Sequence, residues 1–202
     1  MRTAVFASAA RCFVDLVREI PPDAWDTLGL GDWDVRALVG HASRSLSTVS
    51  SYLKTTAKSE DVTTAAEYYV RVSASALGID PAAVAERGRQ AGRALGDDPA
   101  GAVDALMTQA LRDLQTVDDP LIEVIGGLGI RLYTYLPTRV FELAVHGLDI
   151  ARAVDIPLVL PPEVLTEAAE LATQVAVATG HGEAVLLALT GRAGLPPSFS
   201  VV

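Results

Sequence analysis

The stretch Arg139-Val140-Phe141-Glu142-Leu143-Ala144-Val145-His146-Gly147-Leu148-Asp149 reads as one helix that is buried on most of its sides. Leu143, Val145, Leu148 and Ile150 occupy much of its surface, leaving little room for a solvent face. At about 100° per residue, His146 lies about 40° round the helix from Glu142, and Asp149 about 20° to the other side. All three therefore project from one face. A largely buried helix with one polar strip belongs in a packed bundle, where a facing helix can answer the strip.

The rest of the chain supports an all-α fold. Hydrophobic residues make up 50% and charged residues 20% of the 202 residues, which is a globular balance. Aromatics are only 5%, and Ala, Leu and Val carry most of the apolar surface, which favours packed helices over a sandwich. Phe6, Ala9, Phe13, Leu16, Val17 and Ile20 mark one helix face, and Pro21-Pro22 stops that helix. Asp34 is a good N-cap for the next helix, which runs through Val35, Leu38, Leu46 and Leu53 with His41 about two turns in. Trp33 and Leu38 stand at the positions of a hydrophobic staple.

A third helix is expected after Asp61-Val62-Thr63, reaching about Leu77, with Gly78 and Pro81 as breaks. Asp80-Pro81 and Asp98-Pro99 each open a helix, with Asp as cap and Pro at the first helical position. Residues 118–137, with Gly126, Gly127, Gly129 and Pro137, read as irregular, and Thr138 as the cap of a helix to about Ala153. Pro161-Pro162 opens a last helix ending near Gly180, and Val185–Leu189 reads as one short C-terminal strand. The expectation is a single domain over residues 1–202: five to seven helices, four of them forming the main bundle.

The net charge of −9, with no local run of Lys or Arg, argues against nucleic acid as a partner. Cys12 is the only cysteine, so no internal disulfide can form. No stretch approaches the roughly 18 to 20 uninterrupted apolar residues of a membrane helix. Arg11 and Asp15 break the N-terminal apolar run too early for a signal peptide. A cytoplasmic protein acting on small molecules, with a homodimer through a helix face as one further expectation, fits these features.

A buried Glu and His need partners, and one divalent cation would satisfy both. Glu142 and His146, at i and i+4, can reach one ion. His41 is the best candidate third ligand, since it too sits mid-helix among apolar neighbours. Two nitrogens and an oxygen leave an open position, the pattern of catalytic zinc; nickel or iron would tolerate the same ligands. The residues also admit plainer readings: a hydrogen-bonded Glu–His pair, a satisfied core histidine at position 41, and an Asp149 that bonds Arg152. His181, between Gly180 and Gly182, reads as a helix-end residue outside the site.

Trp33-Asp34-Val35-Arg36-Ala37-Leu38-Val39-Gly40-His41 resembles the W-x-V-x-x-L-x-x-H signature of the mycothiol-dependent maleylpyruvate isomerase N-terminal domain family. Residues 139–153 resemble its second signature, R-x-x-E-x-x-x-H-G-x-D-I-A-x-A, and Leu186–Arg192 resembles the way members end. Position 37, often acidic in the family, is Ala. The resemblance implies a DinB-like metal-binding four-helix bundle, a zinc ion on His41, Glu142 and His146, and a low-molecular-weight thiol such as mycothiol as cosubstrate.

It implies S-transferase or isomerase chemistry on a small electrophile, with Asp149 as the candidate catalytic or ligand-orienting residue. The isomerase carries a further C-terminal domain; this chain ends at Val202, so the expectation is a thiol S-transferase or a relative with another substrate. A metal-dependent hydrolase and a non-catalytic metal- or ligand-binding bundle remain the alternatives, because the first needs the same ligands and the second needs no more than them.

Overall fold

Helix α1, Arg2–Glu19, turns Phe6, Ala9, Phe13, Leu16 and Val17 into the core, and Ile20 closes its buried face. These are the positions that the apolar spacing predicts. A computed structural model describes residues 2–72 and 80–201. The expected end of the third helix, at Leu77 and Gly78, lies outside the described residues.

Among the described residues the other helices are α2 Val35–Tyr52, α3 Ala65–Val72, α4 Pro81–Ala94, α5 Pro99–Leu114, α6 Leu132–Ala153, α7 Pro162–Ala178 and α8 Gly182–Leu189. Four of them form the bundle. Helix α6 packs on α1 and α2, and α5 packs on the same two from the other side. Helix α7 covers α6, α3 packs between α7 and α6, and α4 lies along α2. None of the described helices is long and apolar enough to cross a membrane.

The three predicted Asp caps form. The Asp34 carboxylate accepts from the Ala37 backbone N–H at 2.7 Å, Asp80 from Ala82 at 2.9 Å, and Asp98 from Gly101 at 2.9 Å. Each satisfies one of the donors that a helix start leaves without an intrahelical partner.

Three expectations need correction. Val185–Leu189 lies inside α8 and pairs with no strand; after Val185 the run is Leu-Leu-Ala-Leu, residues with high helix propensity. Residues 118–137 are more regular than their glycines suggest. Strands β1 (Leu28–Leu30) and β2 (Trp33–Asp34) pair near the N-terminal end of α2, and β3 (Leu121–Val124) and β4 (Leu128–Arg131) form an antiparallel hairpin with Ile122 opposite Ile130. Gly126 and Gly127 take positive φ in its turn, a conformation glycine adopts without strain.

The third correction is the start of α6. It begins at Leu132, six residues before Thr138, and runs through Pro137. Pro137 cannot donate to the Tyr133 carbonyl, so one helical bond is forgone. The Thr138 hydroxyl caps nothing and instead donates back to the Tyr135 carbonyl at 2.6 Å. The burial of Tyr135, Leu136 and Val140 across that turn outweighs the missing bond, as tertiary packing often does over local propensity.

The α2–α4 crossing is closer than side chains allow. A Cβ on Gly40 would collide with the Gly92 backbone, and one on Gly92 would sit 2.6 Å from the Arg36 carbonyl oxygen. This contact fixes the stretch of α2 that carries His41. Gly40→Ala is therefore expected to destabilise the protein by about 1–3 kcal/mol, as overpacking does, read as a lowered denaturant midpoint with an unchanged slope.

Candidate metal centre

Asp34 starts α2 at a fixed point, and two turns later His41 faces α6. Trp33, just before the cap, holds the imidazole from one side. Its ring centroid lies 4.6 Å from that of His41, and its indole N–H donates to the Ala85 carbonyl at 2.9 Å. The indole therefore ties the start of α2 to α4 and backs a site residue.

On α6, Glu142 and His146 project toward His41. The His41 and His146 rings meet edge to face, 5.0 Å apart. One ligand atom from each of His41, Glu142 and His146 lies within 4.8 Å of the other two. These are the three residues singled out from the sequence, and they come together at one point between α2 and α6. His181 is elsewhere, against Phe199. Asp149 pairs with His146 rather than Arg152: its carboxylate lies 3.2 Å from His146 Nδ1.

A further contact was not legible in the sequence. The Tyr69 hydroxyl on α3 donates to Glu142 Oε1 at 2.8 Å and lies 3.1 Å from the Thr138 carbonyl oxygen. The other carboxylate oxygen, Oε2, is 3.4 Å from His146 Nε2. Glu142 is held on one side by a phenol and His146 on its far nitrogen by a carboxylate. Metal-binding residues are commonly oriented by such outer partners. The donor set of two imidazoles and one carboxylate fits a divalent transition metal.

The electrostatics favour one arrangement of protons. Burial, then the charge of His146, pushes the His41 imidazole down to about 4. Burial also opposes charge on Glu142, but hydrogen bonding to His146 and the nearby Arg139 outweigh it and hold the carboxyl at about 2. Burial opposes charge on His146 as well; Asp149 and Glu142 overcome it and raise the imidazole to about 9. At neutral pH His41 therefore offers a lone pair, Glu142 is ionised, and His146 carries a proton between two carboxylates. His41 and Glu142, with Tyr69, stand in the wall of a cavity of about 590 Å³.

The model of the mycothiol maleylpyruvate isomerase N-terminal domain family matches residues 6–151, so the chain belongs to that family. The matched span holds all three residues of the cluster. No curated protein and no solved structure matches significantly.

In the metal-free protein His146 is expected to hold its proton up to about pH 9, and His41 to stay neutral down to about pH 4. Because the folded value of His146 lies above its ordinary 6.5, its contribution to stability is complete below that pH and is lost as pH rises through the folded value. An NMR titration of the imidazole carbons checks both, and Asp149→Asn should move the His146 midpoint down toward its ordinary value.

Proposed function

We propose that this member of the family is a metal-dependent enzyme, with zinc as the ion, that joins or isomerises a small electrophile with the help of a low-molecular-weight thiol such as mycothiol. The observation that carries this reading is the convergence of His41, Glu142 and His146 within 4.8 Å of one another at the wall of a cavity large enough for a small molecule. When bound, the ion would supply an electropositive open position at which a thiol is held as thiolate.

The chain's own residues have distinct parts in this reading. His41 and His146 provide nitrogens from two helices, and Glu142 provides the oxygen that makes the site less cationic. Asp149 is a positioning residue: its bond to His146 Nδ1 fixes the ring so that Nε2 points at the site. Tyr69 does the same for Glu142 through its hydroxyl. Helix α3 and the tyrosines around it line one side of the cavity. Because His146 is the one ligand that holds a proton at neutral pH, occupancy must displace that proton.

Three outcomes follow. Elemental analysis after reconstitution should find about one zinc per chain, lost in His146→Ala; a wild type that retains none sinks the metal reading. Tyr69→Phe and Asp149→Asn should weaken zinc affinity by about 10–100-fold in a competition titration with a chelating dye. Turnover of a reactive electrophile should require added mycothiol; hydrolysis without any thiol would replace the thiol reading with a hydrolase.

A further inference from the structure

The cavity beside the metal centre has a charge opposite to that of the molecule. The chain carries 25 acidic residues against 16 basic ones, yet among the described residues the cavity wall holds Arg44, Arg87 and Arg139 against one carboxylate, Glu142. Among the described residues, no carboxylate lies within ion-pair distance of these three arginines.

Arg139 is the most telling of the three. It is only 9% exposed. Its Nε–H donates to the Thr138 hydroxyl at 3.0 Å, and its guanidinium lies 4.8 Å from the Tyr135 ring centroid and 5.6 Å from that of Tyr68. Stacking on two rings holds the guanidinium plane but accepts no hydrogen bond in that plane. Of the five N–H donors of an arginine, four are left without a protein acceptor among the described residues. A buried cation so placed needs an anion or strong acceptors to offset its dehydration.

We propose that Arg139 is the floor of an anion subsite that takes the carboxylate of a small ligand, with Arg44 and Arg87 completing the electropositive wall. The terminal nitrogens form a planar fork that matches a carboxylate bidentately. Val72, Val84 and Val175 line the same cavity, so the ligand has a short apolar body as well as an acidic end. Arg139 stands one helical turn before Glu142, about 5–6 Å away between Cβ atoms. A ligand anchored there has its body beside the metal centre. That this ligand is the electrophile rests on the function proposed above; the subsite itself does not.

Isothermal titration of metal-stripped protein separates the two. Succinate and its uncharged diamide, succinamide, are the probes. Succinate is expected to bind saturably and more tightly than succinamide, and Arg139→Met to weaken it by about tenfold or more, the range of a lost charge-assisted pair. Arg139→Lys, which keeps the charge and loses the fork, should fall between them. Equal affinity for succinate and succinamide, or unchanged succinate binding in Arg139→Met, overturns the subsite. Should Arg139→Met fail to fold, the double variant Arg44→Gln/Arg87→Gln at partly exposed positions takes its place. Weakened succinate binding there supports the subsite, and unchanged binding overturns it. Succinate binding by a protein that takes up no zinc would support the subsite while the metal reading fell.

Discussion

Helix α6 is packed on α1, α2 and α7, yet Arg139, Glu142, His146 and Asp149 lie on successive turns of it. Dehydrating four ionisable groups on one helix is costly unless each finds a partner, and the surrounding elements are placed as though to supply them. Helix α3 brings Tyr69 to Glu142 and Tyr68 to Arg139, and α6 itself brings Asp149 to His146 and Tyr135 to Arg139. Helix α2 sets the neutral His41 against His146. Without α3 the Glu142 charge would lose its hydroxyl donor. The close backbone contact between α2 and α4 matters for the same reason, since it sets the depth at which His41 stands.

Much of this was open to a reading of the sequence. The four bundle helices follow from apolar spacing, which recurs every turn, and two of them also from Asp caps, which are local. Glu142 and His146 were recognisable as a pair because helical geometry alone puts i and i+4 together. His41 was a candidate on residue chemistry, and the family signature joined it to the other two. The two helices that carry the cluster pack directly on each other, which makes the link a short one.

The remainder was not legible, for physical reasons. The β3–β4 hairpin has strands of four residues, too short for alternation to stand out between glycines. Pro137 signals a helix boundary locally, and only the burial of its neighbours reverses that. Tyr69 gives no signal of its own, because its partner Glu142 is 73 positions away and nothing in α3 predicts the pairing. One compositional trace was available: the chain has five tyrosines, and Tyr52, Tyr68, Tyr69 and Tyr135 all line the same cavity. Two of them have hydroxyls with polar side-chain partners, Tyr69 with Glu142 and Tyr135 with Thr48.

The protonation pattern adds a last point. A protonated His146 between Glu142 and Asp149 places positive charge where a cation would stand, so the metal-free fold already satisfies both carboxylates. The site need not collapse or rearrange when empty, because a proton balances the same charges. A cation held by these residues would have to displace that proton from Nε2, while the Asp149 contact at Nδ1 would keep the ring's orientation. His41, held neutral by burial, would offer its lone pair with no proton to remove. The two imidazoles, alike in chemistry, are driven apart by their neighbours: burial lowers His41 to about 4, while the two carboxylates beside His146 raise it to about 9.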